Sequence, residues 1–90
     1  MSSVTAQQIE FALRASIAPL QLLQVSNESH LHAGHAGAGE GSHWRVRIVS
    51  ERMAGLNRVA RHRLVYDALR DVIPQGVHAL AIEALSPAEA

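Results

Sequence analysis

Sixteen residues in the middle of the chain, Asn27 to Ser42 (NESHLHAGHAGAGEGS), set the limits on what these 90 residues can fold into. Four of the six glycines fall there, at Gly34, Gly37, Gly39 and Gly41, among alanine, serine and histidine. Such a composition cannot bury enough apolar surface to order itself, which predicts a mobile loop over 27–42. It is too long for a tight hairpin and too short for a linker between domains. The segments on either side must therefore pack on one another, giving one domain over 1–90, and a loop of this length kept inside a small domain tends to carry function.

The segment before the loop reads as a helix and a strand. Thr5 followed by Gln8 has the spacing of a capping box, and Ile9, Leu13 and Ile17 recur at helical period, predicting a helix from Thr5 to Ala18. Pro19 stops it, because the ring nitrogen has no hydrogen to donate and the residue before it is pushed out of helical geometry. Leu20 to Ser26 is short and aliphatic, a strand.

Beyond the loop, Trp44, Val46 and Ile48 alternate with Arg45, Arg47 and Val49, the period of a strand with one buried and one wetter face. Met53 to Gly55 forms a turn. A second helix opens at Leu56 or Asn57 and runs to about Asp71, with Val59, Tyr66 and Leu69 at compatible spacing and Val65, Ala68 and Val72 beside them. Pro74 and Gly76 end it. Val77 to Leu85 alternates again as a third strand, with His78, Leu80, Ile82 and Ala84 on one side. Ser86-Pro87-Ala88-Glu89 has the form of a helix start, a truncated C-terminal helix over 86–90. The expected architecture is α/β, in the order α-β-β-α-β-α: a small three-stranded mixed sheet covered on one face by helices.

Composition narrows the chemistry. There is no cysteine, which removes disulfides, thiolate catalysis and thiolate metal sites, so any soft-metal chemistry needs histidine or the thiols of a partner. Paired carboxylates, a nucleophile with its base, or a phosphate-binding glycine motif cannot be assembled, and Glu28-Ser29-His30, adjacent in a flexible loop, cannot hold triad geometry. The chain reads as non-catalytic. No apolar run approaches the ~20 residues of a membrane span, and MSSVTAQQIE is unlike a secretion signal, so a cytoplasmic protein is expected. Formal charge is zero, yet six arginines and one acid lie between His43 and Arg63, a local excess of about +5 suited to an anionic partner.

Gly55 to Leu69 (GLNRVARHRLVYDAL) and Val77 to Ile82 (VHALAI), with Asn27 to Val46 before them, resemble the BolA family. The match is specific because the RHRLVY block and the VHALAI strand occur at that family's spacing. The resemblance implies a fold similar to class II KH domains. It implies a partner, a monothiol glutaredoxin with a Cys-Gly-Phe-Ser site, and a [2Fe–2S] cluster bridged between the glutaredoxin thiolate, a glutathione thiolate and histidine of the BolA-like protein. It also implies an alternative role, as a DNA-binding regulator of stress and cell-envelope genes.

On that resemblance His78 occupies the position of the cluster-ligating histidine. His32 or His35 is the second ligand, from the His30-x-His32-x-x-His35 run, and the choice between the two is open. Imidazole ligation of one iron, with thiolates on the other, is established chemistry and raises the reduction potential. The competing readings are a strand-end histidine bonded to backbone for His78, and a solvated histidine-rich loop, or simple Zn²⁺ or Ni²⁺ capture, for the run. His43, before Trp44, is assigned a structural role in orienting the return of the loop. Arg58, Arg61, His62 and Arg63 are candidates for partner or anion binding, since guanidinium matches a carboxylate in a bidentate fork; a solvated polar face explains His62 equally well.

The expected function is thus an adaptor that co-ligates a cluster for iron–sulfur assembly, trafficking or iron and stress sensing, with homodimerisation as the alternative when no partner is present. Histidine must be neutral to bind, so a cluster held this way is expected to leave more readily on acidification than an all-thiolate one. Zero net charge, and the lack of a Gly-x-x-Gly clamp beside a helix pair, predict that DNA binding is weak and salt-sensitive.

Overall fold

The structure is a computed structural model, and it describes residues 4–28 and 43–90. Nearly all of the expected loop over 27–42, with His30, His32 and His35, lies outside the described residues.

Helix α1 spans Ala6–Ser16. Its start is the capping box read from the sequence: the Gln8 amide donates to Thr5 Oγ1 at 3.2 Å, and the Thr5 amide donates to Gln8 Oε1 at 2.8 Å. Those bonds satisfy donors that a helix start otherwise leaves to water. Ile9, Leu13 and Ile17 are fully buried, each contributing about 1.5–3 kcal/mol of apolar burial.

Strand β1 (Leu22–Asn27) pairs antiparallel with β2 (His43–Val49), and β2 pairs parallel with β3 (Ala79–Leu85), so the sheet is mixed, in the order β1-β2-β3. The parallel pair needs a crossover, which helix α2 (Arg58–Ala68) supplies. Leu23 faces Ile48 and Val25 faces Val46 across one ladder. Trp44, Val46 and Ile48 face Leu80, Ile82 and Ala84 across the other. These side chains join those of α1 and the Val65, Leu69 and Val72 stripe in one hydrophobic cluster, so the helices cover one face of the sheet.

The opposite face carries Gln24, Ser26, Arg45, Arg47 and Glu83 in register and is wetter. Arg47 Nε lies 3.0 Å from Glu83 Oε1, an ion pair in which the N–H is not aimed well enough for a hydrogen bond. Val49 departs from its expected place on this wet face. It is buried, because its register partners Leu22 and Leu85 flank it on both sides.

Ser50 is buried too, and its hydroxyl donates to the Pro19 carbonyl at 2.6 Å and accepts from the Arg52 amide at 3.1 Å. It ties the end of β2 to the segment after α1. Three connections differ from expectation. Residues Glu51–Met53 form a short 3-10 turn ahead of the expected one. The second helix stops at Ala68, and its continuation is a turn followed by a second 3-10 segment at Ile73–Gln75. Residues 86–90, expected to start a helix, form a turn in which the Glu89 amide donates to the Ser86 carbonyl at 3.0 Å and the Ala90 amide to the Pro87 carbonyl at 3.4 Å.

Val59 and Tyr66, expected on the packed side of α2, are 58% and 43% exposed. At about 100° per residue each stands 100–120° around the axis from Val65, which the core holds.

Candidate functional site

His78 is exposed and comes immediately before β3. It is not packed in hydrocarbon, and the strand behind it fixes its backbone. The parallel register places His43 opposite Ala79, so His43 and His78 share one end of the sheet. The same end holds both points where 29–42 joins the described structure. The Glu28 amide donates to the His43 carbonyl at 2.8 Å, and Arg45 Nε donates to Glu28 Oε2 at 2.9 Å. Those two contacts draw residues 28 and 43 together beside His78. The His43 backbone thus takes part in closing the base of that segment, and its imidazole is half-buried.

Among the described residues no group of three or more histidines, cysteines, aspartates or glutamates converges. By themselves they make no closed metal site. An exposed imidazole just ahead of a strand can, however, serve as one ligand of a metal centre whose other ligands come from outside these residues.

The four other candidates do not join His78. Arg58, Arg61 and His62 stand by the opposite end of β3, where Arg61 Nη1 donates to the Ala84 carbonyl at 3.0 Å. At about 3.3 Å per residue, Ala84 is roughly 16 Å along the strand from Ala79. Arg63 lies on the outward side of α2 with Leu64 and Asp67. From the sequence these residues have a partner- or anion-binding role apart from the histidines, and the fold sets Arg58, Arg61 and His62 by the end of β3 opposite His78.

Arg61 is also unlike its neighbours. Its side chain is 14% exposed, its Nε donates to the Leu56 carbonyl at 2.9 Å, and its Nη1 meets Glu89 Oε1 at 2.7 Å besides the Ala84 carbonyl. Arg61 therefore fastens three segments: the approach to α2, the end of β3 and the C-terminal turn. Glu89, read from the sequence only as part of a helix start, also accepts from the Ser86 amide at 2.8 Å. The Arg61 hydrogen bond, and then those from Ser86, lower its carboxyl from the usual 4.5 to about 2. Arg58 and Arg63 are exposed and His62 is half-buried, and none of the three has an ion-pair partner among the described residues.

Comparison with known proteins supplies the rest. A family model described as BolA-like protein matches residues 13–89. SufE-like protein 1, chloroplastic/mitochondrial, of Arabidopsis thaliana is 42% identical over 88 residues, covering 91% of this chain and 24% of that protein. The protein named DNA-binding transcriptional regulator BolA, of Vibrio cholerae, is 46% identical over 69 residues, covering 77% of this chain and 63% of its own length. This chain thus spans less than two thirds of either relative. The solved BolA domain of SufE1 from Arabidopsis thaliana superposes with a TM-score of 0.83 at 38% identity, covering 98% of this chain and all of that domain.

Proposed function

We propose, on the premise that this chain belongs to the BolA-like family, that it is a non-catalytic adaptor that docks a monothiol glutaredoxin and shares a [2Fe–2S] cluster with it. The observation that carries the reading is the position of His78: exposed, fixed at a strand end, and beside the point where residues 28 and 43 are pinned together. His78, with His32 or His35 from the segment between those residues, would hold the cluster. The chain has no thiol of its own, so the partner's cysteine and glutathione supply the sulfur ligands.

When bound, such a cluster offers a one-electron centre of raised potential relative to an all-thiolate one. The part played by this chain is to hold an imidazole on a rigid support. That role suits cluster assembly, trafficking or iron sensing in the cytoplasm. No helix among the described residues is long and apolar enough to cross a membrane.

The test is reconstitution without oxygen of the chain with a monothiol glutaredoxin and glutathione. A coloured heterodimer is expected, with the His78→Ala protein failing to retain the cluster. An unchanged visible spectrum for the variant would sink the proposal.

A second reading, a DNA-binding regulator, is supported by the name of the Vibrio cholerae relative and by the exposed Arg58 and Arg63 on α2. It predicts binding that falls steeply with salt, because phosphate contacts release counterions. Tight, sequence-selective binding at physiological salt would favour it over the adaptor.

A further inference from the structure

β3 is an edge strand, and the hydrogen bonds reveal which of its backbone groups face outward. The Leu85 carbonyl accepts from the Ser50 amide at 3.0 Å, so Leu85 points its backbone toward β2. Alternation then turns Ala79, Ala81 and Glu83 the same way, and sends the backbone groups of Leu80, Ile82 and Ala84 to the open side. The Arg61 bond to the Ala84 carbonyl confirms that parity. The Ala84 carbonyl is thereby taken, while among the described residues the outward groups of Leu80 and Ile82 have no protein partner.

Alongside this edge runs a groove of about 610 Å³ whose other wall is the first half of α2. Leu56 and Ile82 give it apolar surface, and Arg58, Arg61 and His62 give it donors. Its two carboxylates are already engaged, Glu83 by Arg47 and Glu89 by Arg61, which leaves Arg58 and His62 as the unmatched polar groups. Glu89 shows that a carboxylate is accommodated here, for it sits against Arg61 at 2.7 Å.

We propose that this groove receives an extended, acidic segment of a protein partner, which adds to β3 as a fourth strand and sets its carboxylates against Arg58 and His62. The outward N–H and C=O of Leu80 and Ile82 supply backbone affinity, and the helix wall supplies the preference for acid over base. The site runs along the edge of β3 from Leu80 to Ala84, with its side-chain donors Arg58 and His62 at the Ala84 end, and does not depend on a cluster.

The experiment is an NMR titration of the ¹⁵N-labelled full chain with a blocked hexapeptide alternating valine and glutamate, and with its valine–lysine counterpart. The acidic peptide is expected to shift the Arg58, His62, Leu80 and Ile82 amides and to slow hydrogen exchange at Leu80 and Ile82, whose N–H groups gain acceptors. The lysine peptide leaves them unmoved. Arg58→Glu, an exposed change that suits a helix N-terminus and preserves the fold, weakens the acidic peptide by about threefold or more, whereas Arg14→Glu on α1 does not. Equal binding of both peptides, or shifts without slowed exchange, overturns the proposal. So does a DNA duplex that perturbs these residues when the acidic peptide does not.

Discussion

Arg61 supports more of the molecule than any other charged side chain described. Replacing it with alanine strands the Leu56 and Ala84 carbonyls in partly buried surroundings, and the expected loss is about 1–3 kcal/mol in denaturant unfolding. Lysine should rescue poorly, because a point charge cannot serve acceptors that lie in separate directions. The acid end of the same contact gives a pH signature. The folded carboxyl of Glu89 sits near 2 instead of 4.5, so its contribution is fully present above about 4.5 and is lost as pH falls from there through 2. Thermal melts between pH 5 and 2 should therefore fall less steeply for Glu89→Gln than for the parent; parallel curves would mean that the latch adds nothing. Arg61 looked like its neighbours Arg58 and Arg63 in the sequence, since its acceptors are backbone groups that only the fold assembles. One signal was available: Arg61 shares the stripe of Val65 and Leu69, four and eight residues on.

At the scale of elements, legibility followed periodicity. α1 has one amphipathic pattern and one set of caps, both readable, and its core residues Ile9, Leu13 and Ile17 are as expected. Leu13→Ala should cost about 2–5 kcal/mol and Thr5→Ala about 1 kcal/mol, both checked by unfolding in urea. α2 was harder. Its apolar residues lie on more than one side, so Val59 and Tyr66 were taken with the core although they face water, and only the sheet beneath could choose the stripe. The same competition explains Val49, where strict alternation predicted a wet position and neighbours across both ladders buried it. The Asn57 side chain, which caps α2 by accepting from the Ala60 amide at 2.8 Å, was one of two starts the sequence allowed.

Across the whole molecule, the mixed sheet and the helix layer were legible, but the arrangement of candidate site residues was not. Spacing along the chain says nothing of how far Arg58 to His62 stand from the histidines; the crossover that makes β2 and β3 parallel sets Arg58, Arg61 and His62 by the end of β3 opposite His78. His78 is exposed and supports no packing in the described structure, so His78→Ala should leave stability within about 0.5 kcal/mol of the parent while removing cluster retention. A large fall in melting temperature would mean that the imidazole is a structural group after all.

A strand of seven residues in a packed sheet behaves as a stiff strut. Whatever grips one tip leaves the other free to be gripped by something else, and neither event needs to know of the other. If so, a double variant carrying Arg58→Glu and His78→Ala should bind the acidic peptide as Arg58→Glu alone does, to within about 0.5 kcal/mol, and lose the cluster as His78→Ala alone does. A protein of this size would then join two others at once, as a bracket does, with its own interior unchanged.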